Sequence, residues 1–197
     1  MEKMGKGRME AFSDGVLAIL ITIMVLELKV PHSADMAALR PLLPVFLSYV
    51  LSFIYLGIYW NNHHHMLHAT SRINGKILWA NLHLLFWLSL VPFVTGWMGD
   101  NHRAPLPTAV YGLVMLLAAI AYFILARTII AAEGPESKLA KAFGRDVKGR
   151  ISPALYAAAI PLAYVNQWLA QGIYLLVALI WLVPDPRIES RFARSEP

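Results

Sequence analysis

Apolar residues fall in long runs along this chain, and the polar positions between them are clustered. A membrane-crossing helix needs about 20 mostly apolar residues. On that measure the pattern predicts an all-α integral membrane protein with six transmembrane helices, over 8–30, 41–69, 76–98, 106–132, 150–166 and 168–184. Pro31 closes the first, and the second ends in the polar cluster at 61–68. The last two share the apolar stretch 151–183, which would run roughly 50 Å as one helix at ~1.5 Å per residue. That exceeds a hydrocarbon core of about 30 Å. The polar break NQW at 166–168 therefore marks a tight turn between two helices. All six are expected to form a single transmembrane domain, 1–197.

The first helix departs from a plain lipid anchor. Its first turns carry Arg8, Glu10 and Asp14, and beyond them the only hydroxyl is Thr22 among aliphatic residues. At about 100° per residue, Ile19, Thr22, Ile23 and Leu26 share a stripe roughly 100° wide, continued by Gly15 and Phe12. The four-then-three spacing of Ile19, Ile23 and Leu26 presents one seam to neighbouring helices or copies. Asp14 lies roughly 140° from that seam and Ser13 about 120° on the other flank. Arg8 and Asp14 do not have the i,i+3 or i,i+4 spacing of an intrahelical pair, so each needs a partner on another helix, in another subunit or in water. Up to this point the residues describe a polar anchor below an aliphatic seam, compatible equally with packing inside one protomer.

Composition agrees with a lipid solvent. Of 197 residues, 58% are hydrophobic and 15% charged, against about 25% charged in soluble domains, and the mean hydropathy is +0.54. The absence of cysteine excludes disulfides and thiolate metal sites. No small-residue cleavage site follows the first apolar run, so no signal peptide is expected. The net charge of +5 is placed by topology rather than by nucleic acid. Lys3, Lys6, Arg8, Arg72, Lys76, Arg127, Lys138, Lys141, Arg145, Lys148, Arg150, Arg187, Arg191 and Arg194 fall on one side of a six-span chain, and only Lys29, Arg40 and Arg103 on the other. By the positive-inside rule both termini are cytoplasmic, in a multi-pass protein of the cell membrane. The basic segment 137–150 either lies on the cytoplasmic leaflet or is a solvated loop.

Arg8-x-x-x-Phe12-Ser13-Asp14 at the head of such a helix resembles the signature of the lysosomal potassium channel family, the transmembrane protein 175 type, in its prokaryotic form. YWNNHHHMLH at 59–68, NLHLLFWLSLVPF at 81–93 and WLVPDPRIE at 181–189 extend the resemblance over the chain. The resemblance implies six helices per subunit, a homotetramer, and a central pore lined by the first helix. It implies a potassium-preferring leak channel without the Thr-Val-Gly-Tyr-Gly filter, a motif this sequence also lacks. Carried onto these residues, the constriction falls on Ile19, with Ile23 and Leu26 as further layers and Thr22 as the hydroxyl layer. The family's interhelical polar network would join Arg8, Ser13 and Asp14 to His63 and Asn81. Four Ile19 side chains can close a ring that dewets, and threonine hydroxyls can replace part of an ion's water shell. Only modest preference for potassium over sodium is expected, with the permeant ion and lipid as partners and no cofactor.

Competing features are weaker. His64 and His68, or His65 and His68, have spacings that let two ligands share a helix face, but no carboxylate or cysteine accompanies them, so no metal site is expected. A histidine pH effect on gating would show between pH 6 and 8. Trp60, Trp79, Trp97, Trp168 and Trp181 lie near expected helix ends, as an interfacial belt does. Glu27 and Lys29 close the first helix on the outer side, where Glu27 can draw cations to a vestibule. No nucleophile–base set, phosphate loop or paired carboxylate occurs, so an enzyme is not expected. The alternative is a proton- or cation-coupled secondary transporter, which needs polar groups at the bilayer midplane; Asn81 and His83 are the candidates. A scaffold or insertase-like protein is the third reading. Channels pass rapid current, carriers saturate and couple, and scaffolds do neither.

Overall fold

A computed structural model describes residues 5–143 and 146–182. Residues 183–184 of the sixth expected helix, and the cationic positions Lys3, Arg145, Arg187, Arg191 and Arg194, lie outside the described residues. The described chain is helical: α1 (Lys6–Ile23), α2 (Leu43–His68), α3 (Gly75–Ser89), α4 (Val91–Asp100), α5 (Pro105–Glu133), α6 (Lys138–Phe143), α7 (Val147–Val165) and α8 (Gln167–Leu182). Four stretches are long and apolar enough to cross a membrane: Lys6–Glu27, Met36–His68, Gly75–Asp100 and Pro105–Glu133. The helix α8 is apolar but shorter.

Two expected boundaries move. The α-helical part of the first segment stops at Ile23, and a 3-10 turn, Met24–Glu27, completes it, so regular structure ends short of residue 30. The expected third helix is two. Leu90 separates α3 from α4, and Pro92 occupies the first turn of α4. Proline has no N–H and its ring collides with the carbonyl four residues earlier, so an otherwise continuous apolar run is interrupted there.

The expected turn at 166–168 is present. Asn166 ends α7, and its side-chain oxygen accepts from the N–H groups of Trp168 (2.9 Å) and Leu169 (3.4 Å) at the start of α8. This satisfies donors that a helix N-terminus leaves free. Gly134 ends α5 at φ +99°, a conformation that only glycine adopts without strain.

The helix α5 is the centre of the packing, with α3, α4, α7 and α8 against it. Ala118, Ala121 and Ala126 are fully buried along it, and such small residues let helix backbones approach closely. Between α2, α5, α7 and α8 lies a core of tyrosines. Tyr111 stands 5.3 Å from Tyr174 and Tyr55 6.2 Å from Tyr156, ring centre to ring centre. Their hydroxyls are satisfied inside: Tyr111 with Ser52 (3.0 Å), Tyr55 to the Tyr174 carbonyl, and Tyr174 to the Thr108 carbonyl (2.9 Å). At the opposite side α1 leans on α2 and α3. Only 28% of its apolar window is buried within the chain, against 50% for Gly75–Asp100 and for Pro105–Glu133. Most of α1 is thus left for lipid or for other copies of the chain.

Candidate pore face and its polar anchor

The two faces of α1 have opposite fates. Met9, Ser13, Leu17, Leu20 and Met24 are buried against α2 and α3. Their spacing of four, four, three and four residues is one helical face. Phe12, Gly15, Ile19, Thr22, Ile23 and Leu26 are exposed, with Ile19 at 59% and Leu26 at 77%. The stripe read from the sequence is therefore the face that the protomer leaves uncovered. The 3-10 turn keeps it straight. Residues i and i+3 eclipse in a 3-10 helix, so Leu26 stays in line with Ile23 instead of drifting around the axis.

Thr22 is oriented within this face by its own backbone. Its hydroxyl donates to the carbonyls of Ile19 (2.9 Å) and Ala18 (3.0 Å). The proton is directed at the helix, which leaves oxygen lone pairs free to turn outward. An outward lone pair suits a cation.

Beneath the exposed face lies a one-way chain of hydrogen bonds. His63 on α2 donates from Nε2 to Asn81 Oδ1 on α3 (2.7 Å). Asn81 donates from Nδ2 to Ser13 Oγ on α1 (2.9 Å), and Ser13 donates to the Met9 carbonyl (2.8 Å). The carbonyl can only accept and the asparagine amide nitrogen can only donate, so the chain fixes the proton on His63 Nε2. All three side chains are at most 1% exposed. In such surroundings a group without its partner is costly. The network thus joins three helices at one depth and fixes the rotation of α1.

Of the other motif residues, Asp14 is held from outside this chain of bonds. Its Oδ1 accepts from Trp60 Nε1 on α2 at 3.0 Å. Trp60, read from the sequence as part of an aromatic belt, is therefore the partner that Asp14 lacked. Its signal was a tryptophan a helical turn before the histidine cluster, indistinguishable by itself from an interfacial one. The ring of Trp60 stacks on His64, and His64 on His68, each pair with centres 6.2 Å apart. Lys6 pairs with Glu10 at 4.0 Å and donates to the His68 carbonyl at 3.2 Å. So Lys6, Glu10 and Asp14 descend one side of α1 while α2 runs past in the opposite direction. Phe12 and Arg8 are exposed, and the Arg8 side chain joins no hydrogen bond or ion pair among the described residues. The expected network thus contains Ser13, His63 and Asn81, with Asp14 on a separate bond and Arg8 outside both.

The midplane candidates for a carrier are accounted for differently. Asn81 is consumed by the network, and His83 is exposed, accepting from Trp87 Nε1 at 2.9 Å. Glu27, at the far end of the seam, rests on α4 where Gly96 makes room: a Cβ there would lie 2.6 Å from its Oε2.

These features define an all-helical membrane protein whose first helix keeps an aliphatic seam free above a buried polar anchor. Residues 8–92, which include both seam and anchor, match the family of the endosomal/lysosomal potassium channel TMEM175. A potassium channel of a Chryseobacterium species is 57% identical over 186 residues, 94% of this chain and 97% of that protein. The crystal structure of a lysosomal potassium-selective channel TMEM175 homolog from Chamaesiphon minutus superposes with a TM-score of 0.81 at 29% identity, covering 90% of this chain and 96% of the other. The bovine endosomal/lysosomal proton channel TMEM175 is 31% identical over 160 residues, 73% of this chain and 33% of that longer protein. The chain belongs to the TMEM175 family, whose members are ion channels and not enzymes.

Proposed function

We propose that this protein is a potassium-preferring leak channel of the cell membrane. In this reading six segments cross the bilayer as one domain, with α3 and α4 forming the third crossing, α7 and α8 the last two, and both termini cytoplasmic. Four copies surround an axis lined by α1. Ions pass a constriction of Ile19, with Ile23 and Leu26 as further layers and Thr22 supplying hydroxyl oxygens. The observation that carries this reading is the uncovered stripe of α1, on which these four residues stand together while the opposite face is buried.

The mechanism follows from size and wetting. A ring of isoleucine side chains a few ångströms across excludes water until it widens. An ion crossing it must shed part of its hydration. Potassium gives up water more readily than sodium, and four hydroxyl oxygens return only part of what is lost, so the preference is modest. The buried network and the Asp14–Trp60 bond hold each α1 at the rotation that points Ile19 inward. Relatives named as potassium channels support the permeant ion.

Recording from the purified protein in planar bilayers under a potassium/sodium gradient tests the reading. A passive current reversing nearer the potassium potential is expected. Ile19→Asn puts a polar ring at the constriction and should raise conductance several-fold while lowering the potassium preference. Unchanged conductance and selectivity in that variant would remove Ile19 from the ion path.

A further inference from the structure

The side of the protein formed by α3 and α5 carries a trough that the pore reading does not use. Lys76, Ile124 and Thr128 line two adjoining grooves, one of about 860 Å³ that reaches Trp79 and one of about 470 Å³ that reaches Arg127. Shared walls make them one surface channel, running down α3 from its first turn and up α5 from its last turns. Its two ends differ in chemistry. Further along α3 and α5 it is walled by Trp79, 75% exposed, and Ile124, 40% exposed, with His83 at its far end. Toward the end where α3 begins and α5 stops, it is flanked by two cations.

Neither cation is neutralised among the described residues: Lys76 and Arg127 form no ion pair there. The acid at that end of α5 is Glu133, and its carboxylate is occupied by the Ser71 and Arg72 N–H groups (2.7 and 2.9 Å) and the Ser71 hydroxyl. Arg127 stands about 9 Å inside the end of α5 at ~1.5 Å per residue. Its guanidinium lies over the Phe123 ring at 5.3 Å. It is thus an arginine at the boundary of hydrocarbon and headgroup, where a long side chain reaches for a polar partner. A trough with apolar walls and with Lys76 and Arg127 both on its lining is complementary to one kind of molecule above others.

We propose that this trough is a binding site for an acidic glycerophospholipid, its phosphate between Lys76 and Arg127 and one acyl chain along Trp79 and Ile124. The site lies away from the α1 face, so it stands or falls independently of the pore. Two cations converging on one headgroup give preference over a zwitterionic lipid on the order of tenfold at moderate ionic strength.

Trp79 serves as the reporter. The full-length protein is reconstituted in vesicles of fixed composition doped with phosphatidylglycerol or phosphatidylcholine brominated on the acyl chains. Tryptophan quenching is measured for the wild type and for Trp79→Phe, and the difference isolates Trp79. The expected result is quenching of Trp79 at about tenfold lower mole fraction of the brominated acidic lipid. The Lys76→Gln/Arg127→Gln protein should lose this preference, and Lys76→Arg should keep it, with unchanged helical circular dichroism as the folding control. Equal quenching by both lipids in the wild type overturns the proposal. So does a preference that survives in the folded double variant. Absence of quenching by either lipid overturns it as well, since another copy of the chain would then cover the trough.

Discussion

Asn81 is the residue on which the orientation of α1 depends. It spends both ends of its amide on neighbours, accepting from His63 and donating to Ser13, and so ties α1 to α2 and α3. Asn81→Leu keeps the volume roughly and removes both bonds, leaving the His63 N–H without an acceptor in an apolar setting. Interhelical hydrogen bonds in membranes average only about 0.6 kcal/mol each, but an orphaned buried donor adds roughly 1–3 kcal/mol. A loss of about 2 kcal/mol is therefore expected, read as a lowered thermal midpoint in detergent by circular dichroism. The double variant His63→Leu/Asn81→Leu removes the orphan and should recover part of the loss. If Asn81→Leu melts with the wild type, the network does not fix α1.

The helices test a different balance, between close approach and crowding. Where α5 meets α8, Gly112 faces the Tyr174 hydroxyl, and a Cβ at Gly112 would lie 2.2 Å from that oxygen and 2.9 Å from Cζ. The ring cannot simply swing away, because it is fully buried and its hydroxyl donates to the Thr108 carbonyl. Overpacking of this kind costs about 1–3 kcal/mol. Gly112→Ala should lower the thermal midpoint accordingly, and Tyr174→Phe in the same background should restore part of it. A neutral Gly112→Ala would mean that α8 moves aside easily. At this scale the sequence was informative wherever hydropathy changed. The apolar runs placed α2 and α5, and NQW at 166–168 placed the turn between α7 and α8. It was silent where hydropathy stayed level. The break at Leu90 lies inside an apolar run and shows only in Pro92, and the shortening of the α-helix to Ile23 has no compositional mark. The exposed stripe of α1 was legible from helical spacing, because period 3.6 alone sorts Ile19, Ile23 and Leu26 from Leu17, Leu20 and Met24. Ser13, His63 and Asn81 were legible only through the family resemblance, since nothing local says that residues so far apart in sequence meet. The tyrosine core was not legible at all: its members are scattered over four helices without a common spacing, and only tertiary packing unites them.

At the scale of the whole molecule the deciding question is what covers the stripe of α1. Apolar exposure alone does not demand a partner in a bilayer, because lipid tails are as apolar as leucine. A seam facing lipid and a seam facing three other seams are therefore equally stable for one protomer, and assembly has to be read by proximity. The chain contains no cysteine, so a single introduced thiol reports without background. Leu26 is 77% exposed at the end of the stripe. If four copies of α1 surround an axis, Leu26→Cys residues of neighbouring copies come close, and a disulfide needs Cα atoms about 4.4–6.8 Å apart. Mild oxidation in native membranes should then give covalent dimers on a non-reducing gel. It should also suppress the current, with recovery on reduction, since the bridge would lie in the ion path. Trp79→Cys, on the trough between α3 and α5, faces away from that axis and should remain monomeric under the same oxidation. Dimers from Trp79→Cys and none from Leu26→Cys would turn the assembly around, placing α3 at the interface and α1 in lipid.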